Sequence, residues 1–183
     1  MFLDANEFAF TKDLESNWKT IQKELLGLST YNFMAFHEKK LYDSGWETFA
    51  LYVFGKKWKP NTPLCPETTR LVEAIPGMKT AGFSKLEPGT HIKPHVGYTN
   101  AVLRCHLPLI VPEGDCKLRV GDEAKSWVEG KCLVFDDTTE HEAWNRTDKV
   151  RVVLLLDIMR PGVELDVDQL QEELRQRGGK LYS

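Results

Sequence analysis

Between Lys79 and the Arg160-Pro161-Gly162 break, strand-length apolar runs alternate with clusters of Gly, Pro and Asp. Residues 79–86, 101–111, 115–120, 124–128, 131–136, 141–144 and 150–158 read as strands bounded by turn-forming residues. Strands this short and this dense point to an antiparallel sandwich or barrel, such as a jelly roll.

The residues before this block have a different texture. Leu14, Trp18, Ile21 and Leu25 recur at helical spacing and predict an amphipathic helix over 11–26. Thr11 is its expected N-cap and Gly27 its stop. Residues 28–45 show no clear period. Thr48–Phe54 is rich in aromatic and β-branched residues and reads as a strand. The loop KKWKPNTPLCP follows, then a short helix from Glu67 to Ile75, ended by Pro76-Gly77. After Gly162, Leu165, Leu170 and Leu174 among acids predict a last helix over 166–177. No flexible linker or repeat divides the chain. The expected organisation is one mainly β domain with flanking helices: helical support in 1–77, a jelly-roll core in 78–161 and a C-terminal helix in 162–183.

Composition narrows the classes of function. The 183 residues carry 24 Lys+Arg against 27 Asp+Glu, a net charge of −3. No basic excess marks a nucleic-acid partner. No apolar stretch reaches the roughly 18 to 20 residues of a membrane helix. The opening MFLDANEFAF is acidic where a signal peptide is basic, so a cytoplasmic location is expected. None of Cys65, Cys105, Cys116 and Cys132 forms a CxxC pair, which leaves buried reduced thiols rather than a zinc site.

Some polar residues do not fit a plain sheet. In Pro88-Gly89-Thr90-His91-Ile92-Lys93-Pro94-His95-Val96-Gly97, Pro94 stiffens the approach to His95 and Gly97 leaves room beside it. Such an imidazole suits a metal ligand, though a lone loop histidine is more often solvated or hydrogen-bonded. In Phe135-Asp136-Asp137-Thr138-Thr139-Glu140-His141-Glu142, paired acids turn the chain and deliver His141. That is either a polar hairpin tip or a second ligand surrounded by carboxylates. Arg104 and His106 lie two apart in an apolar strand and share a face, opposite Leu103, Cys105, Leu107 and Leu109. Arg151 precedes Val152–Leu156. If that face lines a pocket, its guanidinium groups can grip a dicarboxylate; if both arginines sit at strand ends, water serves them. Lys56, Lys57 and Lys59 surround Trp58 in a basic loop that, like Arg70, either meets an acidic substrate or is simply solvated.

The stretches PGTHIKPHVGYTNAVLRCHLPL and EGKCLVFDDTTEHEAWNRTDKVRVVLLLDIMRP resemble the aspartyl/asparaginyl β-hydroxylase family. The likeness covers roughly 76–161 and extends more weakly through SGWETFALYVFG. It implies a double-stranded β-helix (jelly-roll, cupin-like) fold. It also implies iron(II), with 2-oxoglutarate and O2 as cosubstrates. Carried over by residue, it implies that His95 and His141 ligate iron. Arg151 would hold the distal carboxylate of 2-oxoglutarate, with Ser84 beside it. Arg104 and His106 would help hold the oxo-acid near the metal, and Trp46 would line the pocket.

Iron oxygenases of this chemistry commonly add a carboxylate two residues after the first histidine. Here that residue is Gly97, so two protein ligands are expected. Asp137 is the candidate carboxylate that orients water at the metal. Some iron halogenases also lack that carboxylate, but the surrounding motifs resemble the hydroxylases. The implied substrate is an aspartyl or asparaginyl side chain in a peptide, protein or free amino acid. The alternatives are another small molecule, an acyl chain, or a non-enzymatic jelly-roll binding module.

Overall fold

The computed structural model describes residues 1–163, so the helix expected over 166–177 lies outside the described residues. The first helical segment is two helices, α1 (Ala9–Ser16) and α2 (Trp18–Leu26). Asn17 breaks it: its side-chain amide donates to the Asp13 carbonyl and competes with the backbone ladder. Thr11 is not the cap. It lies inside α1, where its hydroxyl donates to the Ala5 and Phe8 carbonyls. Gly27 does end α2. The third helix, α3, spans Pro66–Glu73.

Strands β1 (Phe2–Leu3), β2 (Met34–Ala35), β3 (Trp46–Val53) and β4 (Lys56–Lys57) come from the first third of the chain. Strands β5 (Met78–Leu86), β6 (His91–His95), β7 (Val102–Ile110) and β8 (Cys116–Val120) follow. The last four are β9 (Glu123–Ser126), β10 (Leu133–Phe135), β11 (His141–Asn145) and β12 (Arg151–Met159). The larger sheet runs β1-β10-β7-β12-β5-β3-β2, with β4 paired to β3; the smaller runs β6-β11-β8-β9. Every pairing is antiparallel. The fold is mainly β with flanking helices, a double-stranded β-helix.

Two-residue alternation divides the large sheet into two faces. Phe49, Leu51, Phe83, Cys105, Leu107, Leu109, Leu154 and Leu156 pack with Leu14, Ile21, Leu25 and Val72 of the helices. Their neighbours one residue away face the small sheet. There Trp46, Leu86, Phe135 and Val153 meet Ile92, Leu118, Val120 and Ala143 in a second core. One-residue steps therefore put Arg104, His106 and Arg151 between the sheets, on the face opposite the leucines. All four cysteines are buried and free.

Candidate active site

His95 ends β6 and His141 begins β11, directly opposite in register. Their ring centroids lie 4.3 Å apart. His95 Nδ1 is 2.8 Å from the Lys93 carbonyl, and His141 Nδ1 is 2.9 Å from the Thr139 carbonyl. A carbonyl only accepts, so in each neutral ring Nδ1 carries the proton and Nε2 is the basic nitrogen. Two rings oriented through Nδ1 in this way are prepared to ligate a metal through Nε2. Burial, with His95 and Arg104 adding to it, pushes His141 down to about 3, which keeps it in the ligating neutral form.

Gly97 is more than an omitted ligand. A Cβ there would meet Asp137 Cγ at 2.5 Å and Oδ1 at 2.8 Å, and Gly97 N–H donates to the Asp137 carbonyl at 2.7 Å. The Asp137 carboxylate therefore occupies the space of the missing side chain. It is 1% exposed, and its Oδ2 lies 3.3 Å from Arg104. Its Oδ1 is buried with no hydrogen-bond partner among the described residues. The other three acids of this segment turn away from the site. Asp136 pairs with Arg160 at 2.5 Å, and Glu140 and Glu142 pair with Arg119.

That crowding gives a direct prediction. Gly97→Asp alone should not create a three-ligand site, because Asp137 cannot move far from Arg104. It should destabilise the protein by about 1–3 kcal/mol, as overpacking does. The double variant Gly97→Asp/Asp137→Gly should recover that loss and bind divalent metal at least as tightly as wild type. Denaturant melts and metal titrations of both variants check this.

Arg104 and Asp157 are cross-strand partners on β7 and β12. Arg104 Nε donates to Asp157 Oδ1 at 2.8 Å and Nη2 to Oδ2 at 3.2 Å. Together with Asp137, this compensates the guanidinium. Arg104, expected to help hold the oxo-acid, is thus also the anchor of two carboxylates, and it lies in the wall of the cavity beside His95. Asp157 was legible as a partner, being an acid in an apolar strand on the same face as Arg151, and sequence reasoning passed over it.

Arg151 is the opposite case. It is 1% exposed, yet among the described residues no carboxylate pairs with it. Nη1 donates to the Ser84 carbonyl at 3.1 Å, while Nε is buried without a partner. Burial lowers its pKa to about 10, far enough above neutrality to leave it charged. Trp46 Nε1 donates to Ser84 Oγ at 3.1 Å, so the serine hydroxyl retains its own proton to offer.

Trp127, another residue missed in the sequence, joins two parts of the site. Its ring lies 4.4 Å from the Arg151 guanidinium, and its Nε1 donates to His106 Nδ1 at 3.3 Å. His106 is thereby a donor at Nε2, and that atom is buried without a partner among the described residues. Burial, reinforced by Arg151, Arg104 and His141, holds His106 well below its usual pKa, hence neutral. The available signal was a lone tryptophan directly after the polar strand Glu123–Ser126.

Beside His95 opens a cavity of about 130 Å³. Phe36, Trp46, Phe49, Val53, Phe54 and Leu155 supply much of its wall, with Glu38, Arg104 and Asp157 as its charged residues. Arg70, by contrast, lies on α3 and pairs with Glu67.

Asp137 and His141 should shape the acid stability of the metal-free protein. Burial pushes Asp137 up to about 6 from 3.8, against Arg104, with Asp157 and Asp136 adding to the rise. The folded state then binds more protons than the unfolded one between those values, so this group adds stability as pH falls from 6 to 4. His141 does the reverse: depressed from 6.5 to about 3, it costs stability as pH falls through the same range. Asp137→Asn removes the offset, so its denaturation midpoint should fall more steeply between pH 6 and 4 than that of wild type.

Residues 15–161 match the family described as Aspartyl/Asparaginyl beta-hydroxylase. The chain belongs to the aspartyl/asparaginyl β-hydroxylase family. It is 44% identical over 168 residues to the ornithine lipid ester-linked acyl 2-hydroxylase of Rhizobium tropici, covering 86% of this chain and 60% of that protein. It is 37% identical over 160 residues to the aspartyl/asparaginyl beta-hydroxylase of Homo sapiens, covering 82% of this chain and 21% of that one. The chain thus spans less than two thirds of either relative. A crystal structure of an oxidoreductase of the 2OG-Fe(II) oxygenase family from Burkholderia pseudomallei superposes with a TM-score of 0.59. At 10% identity, over 82% of this chain and 88% of that one, that likeness shows the fold. The site can be read as that of a member of this family.

Proposed function

We propose that this β-hydroxylase family member is an iron(II)- and 2-oxoglutarate-dependent hydroxylase. The observation that carries the reading is Arg151, a buried guanidinium with no carboxylate partner among the described residues. Such a charge is costly unless an anion compensates it. With Ser84 Oγ beside it and His106 offering Nε2–H, three donors suit a dicarboxylate. The two histidines suit one divalent metal. Iron(II), when bound with the oxo-acid, supplies the oxidising chemistry that inserts oxygen into a C–H bond. The chain's residues position the reactants. His95 and His141 present Nε2, Arg151 and Ser84 hold the far carboxylate, and Asp137 offers Oδ1 as an acceptor for water near the metal. Phe135 and Trp127 exclude bulk solvent.

The cavity beside His95 favours the acyl-chain alternative over an aspartyl side chain. Its wall is largely aromatic and aliphatic, and its one guanidinium, Arg104, is held by Asp157 and Asp137. His37 is also in the wall, and burial lowers its pKa. An incoming carboxylate would meet the carboxylates of Glu38 and Asp157, with Arg104 already engaged by Asp157 and Asp137. The acyl 2-hydroxylase relative supports the same reading, and the human relative supports the aspartyl one. The test is a product screen: acyl-ester lipids, Asp- and Asn-containing peptides and free amino acids, each read for a gain of one oxygen by mass. The gain is expected on an acyl chain, and a gain on peptides alone overturns that assignment.

A further inference from the structure

The basic loop around Trp58 takes no part in the site described so far. It begins as a hairpin: β3 and β4 pair Val53 with Lys56, leaving Phe54-Gly55 as a two-residue turn. Both turn residues have positive φ, 47° and 81°, as a type I′ turn demands. Asn, Asp or Gly normally fills the first of these positions. A phenylalanine held there is strained, and strain kept at one residue points to a use for its side chain.

Phe54 lies in the wall of the cavity, half-buried, at the tip of its lip. Lysines cluster around that tip. Lys56, Lys57 and Lys59 are exposed, and Lys79 comes alongside, its Cδ 4.0 Å from where a Gly55 Cβ would sit. Lys57 pairs with Glu73 at 2.7 Å, and Tyr52 also donates to that carboxylate. Among the described residues, Lys56, Lys59 and Lys79 have no acidic partner. Lys39 and Lys40 are exposed on the turn that places Leu41 in the cavity wall, Lys39 Nζ donating to the Tyr42 hydroxyl at 2.7 Å. An aromatic tip among lysines of which Lys56, Lys59 and Lys79 have no acidic partner among the described residues, at the mouth of an apolar cavity, has the composition of an interfacial anchor.

We propose that the β3–β4 hairpin seats the mouth of the cavity on an anionic lipid bilayer. Phe54 enters the headgroup boundary, the lysines face lipid phosphates, and an acyl chain passes from the bilayer into the cavity without crossing water. The proposal rests on the acyl-chain reading of that cavity.

The test is sedimentation of the full chain with vesicles of phosphatidylglycerol or of phosphatidylcholine, at low and high salt. Succinate formation by wild type is measured in parallel. Wild type should partition onto the anionic vesicles at least about tenfold better than onto the zwitterionic ones, and lose that preference in high salt. Lys56→Glu/Lys59→Glu should weaken anionic partitioning by about thirtyfold or more, from the contribution of each lysine at a charged surface. Phe54→Asn suits the turn better than Phe, so its Tm should equal or exceed that of wild type while vesicle binding falls several-fold. Equal binding to both lipids, or either variant binding as wild type does, overturns the anchor. Succinate formation without vesicle binding removes the anchor and leaves the enzyme reading intact. Vesicle binding without succinate, when iron(II), oxygen, 2-oxoglutarate and each substrate class are supplied, leaves the anchor and removes the enzyme reading.

Discussion

Arg151→Gln should raise the KM for 2-oxoglutarate by at least about a hundredfold, the scale expected when one partner of a buried charge pair is removed. Glutamine keeps a donor near the Ser84 carbonyl but supplies neither the charge nor the paired N–H groups that meet a carboxylate. The same substitution should stabilise the cosubstrate-free protein. Arg151 is 1% exposed and lacks a carboxylate among the described residues, so its removal relieves a desolvated charge. A gain of about 1–3 kcal/mol is expected in denaturant unfolding without 2-oxoglutarate. The two effects have opposite signs, and that separates a ligand-binding arginine from a structural one. A structural arginine would lose stability on substitution and leave the KM near its original value.

His141→Ala should abolish metal-dependent turnover, with a fall of at least about a thousandfold, as for other groups that act as a unit. His95→Ala should match it, and the double variant should be little worse than either single one. With two protein ligands, loss of one leaves a single imidazole, which cannot fix a metal against the oxo-acid. Titration with cobalt(II) under exclusion of oxygen checks the claim independently of catalysis: wild type binds one ion, and each variant binds weakly. Near-wild-type cobalt affinity in either variant would place the metal elsewhere.

The parts of this architecture that follow from alternation were legible in the sequence. Arg104 and His106 share a face because a strand repeats every two residues, and the leucines opposite them fill the helical core as that period requires. β6 was hidden because His91-Ile92-Lys93-Pro94-His95 lacks a β-rich composition. It is the edge of the smaller sheet, where a proline that cannot donate is tolerated. β1 was hidden because two residues give no period; its pairing with β10 is a long-range contact. β3 was legible but begins earlier, at Trp46, and Phe54 belongs to the turn.

The site was legible as a set of residue types and not as a set of partners. His95 and His141 were identifiable, and their register follows from the fold. That Asp137 fills the space beside Gly97 depends on two loops meeting, which no local spacing encodes. Asp157 and Trp127 left local signals in the sequence, an acid in an apolar strand and a lone tryptophan, but nothing local gave their partners. One compensates Arg104 from a neighbouring strand, and the other bridges His106 and Arg151 from the end of β9. Those contacts divide two chemically similar arginines into one paired with carboxylates and one with no carboxylate partner among the described residues.

The central claim is that His95, His141 and Arg151 hold one iron(II) and one 2-oxoglutarate for oxidation. The measurement that tests it most directly is succinate formation from 2-oxoglutarate by the purified chain, with and without iron(II), in air and under nitrogen. Succinate should form only when iron(II) and oxygen are both present, and should disappear in His141→Ala. Absence of succinate from folded wild-type protein supplied with iron(II), oxygen and each substrate class, or equal formation by His141→Ala, would contradict the account.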